Sequence, residues 1–377
     1  MTAFLTDFIR LNGIDTITYV PCSETFSIMK DLRESNGCEI SPSFNEEIAY
    51  SIAHGSGILG KRSLTLMKTH GLAKAGNAVI DSLYAGTTAG FVTMIFDDSG
   101  KHSESIIDPV SLLEGLGIPH IIGESGSINR ALAKCFETSE RFQIPYALLV
   151  RSDDINEETP AMAKGMSGEY VRNVTQHVLC PPFSEYTKEV LERKMRGNRW
   201  EDVKKPSIKS VYDIIPHQWR DQFAIYSEIF DIFKRFRGEI VTGDTGMSSL
   251  FALPPYDCID VTSHLGGSIP LAIGAYLAGR RNVWAVTGDF SLIGAGYMGL
   301  LEAIQRKIPL KVLILYNGIA ATTGGDRIAS GLLKKLLEGY KNNLRMIEIH
   351  EAEKALEAAS TTDELSLIAV DCRIKDH

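Results

Sequence analysis

The sequence predicts an α/β protein built from two doubly wound domains, each on a parallel sheet. Three observations carry this reading. Short apolar runs alternate with amphipathic stretches along most of the 377 residues. One polar, proline-bearing segment interrupts the alternation, and glycines gather where apolar runs hand over to helical ones. A strand that alternates with a helix implies parallel strands covered on both faces. At about 100–200 residues per domain, the length suits two or three domains.

Taken in order, an amphipathic helix over 2–11 stops at Gly13, and a strand over 14–20 follows. Ser23 caps a helix to residue 34; a strand over 39–43 leads to a helix opened by Asn45. Strands over 64–68, 91–96, 121–122 and 146–150, with helices over 72–84, 109–116 and 127–140, complete the first domain, residues 1–155. Residues 156–205 carry Pro160, Pro181 and Pro182 among many charges and read as a connector with one helix over 187–195. Glu201 and Asp202 interleave its basic stretch, which reads as a solvated face rather than a nucleic-acid patch. The second domain, 206–377, repeats the rhythm. Helices are expected over 222–236, 269–278, 296–307, 332–340 and 351–359, with strands over 239–242, 259–263, 283–287, 310–316, 346–349 and 365–370.

Composition narrows the setting. With 39 Lys plus Arg against 47 Asp plus Glu, the net charge of −8 disfavours general binding of phosphate backbones, so no nucleic-acid partner is expected. No apolar run approaches the ~20 residues that span a bilayer, and the N-terminus carries Asp7 where a leader needs an unbroken apolar core. A cytoplasmic protein without a membrane partner is the expectation. The six cysteines are scattered, with no Cys-x-x-Cys pair.

In open parallel sheets, ligands sit at the carboxyl ends of strands. Gly294-Ala-Gly-Tyr-Met-Gly299 matches the dinucleotide pattern, but it lies past its strand, and Asn317 stands where an acid is required. A different constellation surrounds it. Gly288-Asp289-Phe290 ends one strand and Tyr316-Asn317-Gly318 ends the next, bringing together hard oxygen ligands suited to Mg²⁺ with a diphosphate. Gly243-Asp244-Thr245-Gly246 and Gly266-Gly267-Ser268 mark two further strand-to-helix junctions, whose backbone donors suit phosphate.

These residues resemble those of the thiamin-diphosphate enzymes, in which Gly-Asp is followed by Asn about 28 residues on. The resemblance implies thiamin diphosphate and Mg²⁺ as cofactors and makes the two domains pyrimidine-binding and diphosphate-binding. It implies Asp289, Asn317 and the Ile319 carbonyl as metal ligands. Asn45-Glu46-Glu-Ile-Ala49, continuing to Gly55, is similar to the glutamate helix of the pyrimidine domain, which implies Glu46 as the activating acid. A carboxyl on the aminopyrimidine favours the imino tautomer, whose nitrogen removes the thiazolium proton. Ile269 is implied as the support of the bent cofactor and the Gly267 carbonyl as acceptor of the pyrimidine amino group.

Met67-Lys-Thr-His70-Gly71, Phe96-Asp-Asp-Ser-Gly100 and Leu315-Tyr-Asn-Gly-Ile319 resemble the alpha subunit of indolepyruvate:ferredoxin oxidoreductase. Val20-Pro-Cys22 and the overall size resemble sulfopyruvate and phosphonopyruvate decarboxylases. The oxidoreductase passes electrons through Cys-x-x-Cys modules, whereas Ile214-Ile-Pro-His-Gln218 stands where its cysteine segment falls. The expectation is therefore non-oxidative decarboxylation of a 2-oxo acid to an aldehyde by a homodimer or higher homo-oligomer. Alternatives are a subunit whose redox partner is another chain, and a carboligase. His70 and His102 are the candidate proton donors, with Lys68, Lys74 and Lys101 near the same loops. His54 lies within a helix, and His264 reads as shaping the diphosphate loop.

Overall fold

The structure, a computed structural model, describes residues 3–36, 39–97, 99–100, 103–151, 161–163 and 168–374. It divides into two units, Met1–Val171 with Glu189–Asp202, and Arg172–Lys188 with Val203–His377.

In the first unit, five parallel strands run in the order β1-β2-β3-β5-β4. They are β1 (Thr16–Tyr19), β2 (Ser63–Lys68), β3 (Phe91–Asp97), β4 (His120–Ile122) and β5 (Tyr146–Arg151). The helices are α1 (Ala3–Leu11), α2 (Ser23–Asn36), α3 (Glu46–Ile58), α4 (Thr69–Lys74), α5 (Gly76–Ala85), α6 (Pro109–Leu116) and α7 (Ile128–Phe142). β2 and β3 are buried along nearly their whole length, as strands covered on both faces must be. One apolar cluster joins α1, α2 and α7 to the sheet, and a second holds Tyr50, Met67, Leu72, Val79 and Phe91.

Two expectations change here. Residues 39–43 form no strand; Ser43 N–H donates to Tyr19 O at the β1 edge, 2.9 Å away, and Pro42 has no N–H to give a ladder. The helix expected over 72–84 is two helices, broken at Ala75 beside Gly76.

The stretch expected as a connector is divided between the units. Helices α8 (Val174–His177) and α9 (Ser184–Met195) lie within it. Val178, Cys180 and Phe183 are buried in the core of the second unit. Lys194 and Trp200 belong to the first unit, with the Lys194 amine 5.3 Å from the Trp200 ring centre.

The second unit holds α10 (Arg220–Phe233), β6 (Ile240–Asp244), β7 (Val261–Ser263), α11 (Ser268–Leu277), β8 (Val283–Gly288) and α12 (Asp289–Ser291). It continues with α13 (Tyr297–Gln305), β9 (Lys311–Tyr316), α14 (Leu332–Leu336), β10 (Leu344–Ile347), α15 (Ala352–Thr361) and β11 (Ser366–Asp371). All six strands are parallel, in the order β10-β11-β9-β8-β6-β7. From β6 the chain winds to one edge, then returns to β8 and winds the other way. The carboxyl ends of β6 and β8 therefore form the crevice where such sheets take ligands. Among the described residues, no helix is long and apolar enough to cross a membrane.

Candidate functional site

At that crevice the second unit has a cavity of about 350 Å³. It is lined from three strand ends: Asp244, Thr245 and Gly246 at the end of β6; Gly288, Asp289 and Phe290 at the end of β8; Asn317 and Ile319 just past β9. These eight are residues the sequence nominated. Gly243, Gly266, Gly267, Ser268 and Ile269 do not line it.

Those five lie beside it, in the following surroundings. Gly243 lies inside β6, where a Cβ would stand 3.2 Å from the Ile259 side chain. Gly266 has a φ of +85°, and a Cβ there would meet Ala295 Cβ and Gly296 N at 2.6 Å. The Gly267 carbonyl accepts from Leu271 N at 3.1 Å, as the first turn of α11 requires. Ile269 is fully buried against Gly299, so the glycine pattern at 294–299 serves packing: two of its glycines lie in a π-turn, Leu292–Gly296, and the third admits Ile269.

Asp244 is 1% exposed, and its carboxylate is occupied by the protein. Oδ1 accepts from Ser268 N at 2.8 Å, and Oδ2 from the Thr287 and Ser291 hydroxyls, each at 2.6 Å. One side chain thus bolts β6 to α11, β8 and α12. Burial raises its pKa above the ordinary value, and the three donors partly offset that effect.

Asp289 is equally buried, and its carboxylate is met by backbone amides, Phe290 N at 2.9 Å and Gly318 N at 2.7 Å among them. No ion pair reaches it among the described residues. Burial pushes its carboxyl up to about 6. Beside it, Asn317 Nδ2 donates to the Tyr226 hydroxyl at 2.8 Å, while its Oδ1 accepts from Ile319 N at 3.0 Å and keeps a lone pair. Burial also holds the Tyr226 hydroxyl well above its usual range.

Sequence reasoning missed Tyr226, Thr287 and Ser291. Tyr226 reads as a core position of an amphipathic helix. The two hydroxyls become meaningful only once β6 and β8 are neighbours.

In the first unit, Glu46 opens α3 behind the Asn45 cap. Its side chain, 19% exposed, lies 3.5 Å from the Lys74 amine. His70 is half-buried, its Nε2 2.9 Å from Ser105 Oγ, and Lys68 donates to Ser103 Oγ at 2.7 Å. His102 and Lys101 lie outside the described residues. His54 is buried and bonds Gly86 O at 2.8 Å, a structural role; the His264 ring packs under Gly267 in the β7–α11 loop.

Residues 242–369 match the family model of the thiamine pyrophosphate enzyme, C-terminal TPP binding domain. That span of the second unit resembles a thiamin-diphosphate-binding domain, and it includes every residue lining the cavity except Tyr226. The chain resembles the thiamin-diphosphate-dependent 2-oxoacid enzymes more narrowly through the indolepyruvate oxidoreductase subunit IorA. It is 28% identical to that of Archaeoglobus fulgidus over 199 residues, covering 48% of this chain and 32% of the relative. With the Methanothermobacter marburgensis subunit it shares 25% over 183 residues, 47% of this chain and 30% of that one. The match thus spans about a third of the length of these relatives. Two solved structures share the fold over 100% of both chains. They are the thiamine diphosphate-dependent 4-hydroxybenzoylformate decarboxylase of Rhodococcus jostii RHA1 (TM-score 0.68, 15% identity) and the benzoylformate decarboxylase of Polynucleobacter necessarius (0.66, 11%).

The donor set fits such a cofactor. Among the described residues no three His, Cys, Asp or Glu side chains gather as a metal cage. One buried carboxylate beside neutral oxygens is instead what Mg²⁺ takes when phosphate supplies its other ligands.

Proposed function

We propose that the protein is a thiamin-diphosphate- and Mg²⁺-dependent enzyme that decarboxylates a 2-oxo acid, without oxidation, to an aldehyde. The observation that carries this reading is Asp289, a carboxylate held at a switch-point cavity with only backbone donors to meet its charge. Asp289, Asn317 and the Ile319 carbonyl would hold the metal, and the backbone of Asp244 to Gly246 the diphosphate. When bound, thiamin diphosphate supplies the electron sink for loss of CO₂.

The chain's own residues divide the remaining work. Glu46 supplies a carboxyl to the pyrimidine ring, and His70, steadied by Ser105, holds the proton due at the carbon that loses CO₂. Asp244 fixes the cavity's walls through its three bonds rather than touching the ligand with its side chain. The proposal includes a homodimer in the cytoplasm, in which Glu46 of one copy serves the cofactor held by the other.

The similarity to IorA favours a second reading, a subunit of a 2-oxoacid oxidoreductase whose redox centres lie on a partner chain. The purified protein, with thiamin diphosphate and Mg²⁺, is incubated with pyruvate, phenylpyruvate, indole-3-pyruvate and sulfopyruvate, with and without methyl viologen. Aldehyde released without the dye supports decarboxylation, strict dependence on the dye supports the second reading, and a hydroxyketone product indicates carboligation. Glu46→Gln should bind cofactor and lose turnover; unchanged turnover would remove Glu46 from the mechanism.

A further inference from the structure

We infer that Gly71 is a positioning residue for Glu46: its missing side chain is the seat in which the Glu46 stem lies, and Lys74, one turn along the same short helix, faces the seated carboxylate. The inference rests on the reading of Glu46 as the acid that meets the cofactor's pyrimidine.

The geometry is specific. A Cβ on Gly71 would stand 2.6 Å from Glu46 Cγ, 3.1 Å from Glu46 Oε1 and 3.2 Å from Met67 Cβ. Met67 is fully buried at the end of β2 and cannot retreat, whereas the Glu46 side chain is 19% exposed and can. A methyl group at position 71 therefore moves Glu46, not the sheet. The backbone does not require glycine here, because φ at Gly71 is not positive and the residue lies in the first turns of α4, where alanine is the better helix former. The close approach of Glu46 is what explains the glycine.

Lys74 completes the arrangement. Its Nζ lies 3.5 Å from Glu46 Oε2, so the carboxylate is flanked by Gly71 at Oε1 and by an ammonium at Oε2. The lysine side chain is 55% exposed, so solvent screens the pair and its share of the positioning is the smaller one.

The test separates positioning from fold. For Gly71→Ala, the melting temperature of the cofactor-free protein should hold or rise, and the dissociation constant for thiamin diphosphate with Mg²⁺ should stay within about threefold, since the diphosphate site lies in the other unit. The rate at which the bound cofactor's thiazolium C2 proton exchanges with D₂O, followed by NMR, should fall about 10- to 100-fold, the scale of a displaced catalytic group. kcat on the best 2-oxo acid of the panel should fall with it and KM should change little. Lys74→Gln should cost less than about fivefold in exchange, on the scale of a screened pair. Glu46→Gln is measured in parallel. If it abolishes exchange while Gly71→Ala leaves exchange within threefold of wild type, Gly71 does not position Glu46. A Gly71→Ala loss accompanied by a lower melting temperature and weaker cofactor binding also overturns the inference, as does a larger loss in Lys74→Gln than in Gly71→Ala. If Glu46→Gln itself exchanges normally, the underlying reading of Glu46 fails first.

Discussion

Gly266→Ala is the sharpest perturbation of the second unit, because two independent costs fall on one methyl group. The first is conformational: at φ +85° a residue with a Cβ gives up about 1–2 kcal/mol that glycine does not. The second is steric. The new carbon meets Ala295 Cβ and Gly296 N at 2.6 Å, and one of these is backbone, so relief needs a shift of the π-turn; overpacking of this kind costs about 1–3 kcal/mol. The sum is about 2–5 kcal/mol. Leu265, next in the chain, lines the cavity, so the same shift should weaken thiamin diphosphate binding at least tenfold. The control is Gly294→Ala, twenty-eight positions on: its new methyl meets nothing within 4 Å beyond its own turn and chain neighbours and its φ is not positive, so stability should hold or improve by up to ~1 kcal/mol. Urea unfolding and calorimetric titration of the cofactor read both variants. Should Gly266→Ala unfold with wild type, or Gly294→Ala prove the more damaging, the packing assigned to this loop is wrong.

Other expectations concern buried charge. Asp244→Ala leaves Ser268 N and the Ser291 hydroxyl without their acceptor and should cost about 2–5 kcal/mol, while Thr287 can turn to Gly288 O, 3.2 Å away; an unfolding midpoint equal to wild type contradicts the bolt. Asp289→Asn should keep the fold and lose Mg²⁺-dependent affinity for thiamin diphosphate at least 100-fold, measured by titration with Mg²⁺ and with EDTA; undiminished Mg²⁺ dependence places the metal elsewhere. Lys194, 4% exposed and donating to Gln143 O at 3.2 Å, has its pKa lowered by burial to about 7 from 10.5. The unfolded chain then holds a proton between pH 7 and 10.5 that the folded chain has released, so this residue's contribution to stability falls as pH drops across that window, by up to about 1.4 kcal/mol per unit, and levels off below 7. Lys194→Met should remove that slope; pH–stability curves that run parallel for variant and wild type would rule it out.

The strand ends were legible because fully buried parallel strands write themselves as apolar runs, and the residues that follow them inherit a fixed address. Asp289 and Asn317 could be paired on that ground, and the structure sets both on one cavity. What stayed hidden depended on closeness that no spacing encodes. Tyr226 comes from a helix 91 positions before Asn317. The polar segment expected as a connector concealed Val178, Cys180 and Phe183, three apolar residues sparse enough to be outvoted by their neighbours yet fully placed in a core. The strand expected over 39–43 failed for a local reason: Pro42 has no N–H to give a ladder, so the pairing with β1 does not extend onward from the bond of Ser43 N–H to Tyr19 O.

Both units answer the same physical difficulty, how to keep a buried or half-buried carboxylate without fixing a permanent cation against it. In the second unit the answer is backbone: Asp289 rests on amides, one of them that of Gly318, whose φ of +73° lets the chain turn its N–H toward the acid. The resulting charge is buried and incompletely met, which is a cost to the fold alone and, on the proposed reading of the site, a gain once a divalent metal arrives. In the first unit the answer is space: Gly71 leaves room for the Glu46 stem, and Lys74 is exposed enough to be screened and displaced. A buried, fully paired acid such as Asp244 cannot change partners, and the contrast between Asp244 and Asp289, both 1% exposed and both on one cavity, separates the carboxylate that builds the site from the one that is free to serve it.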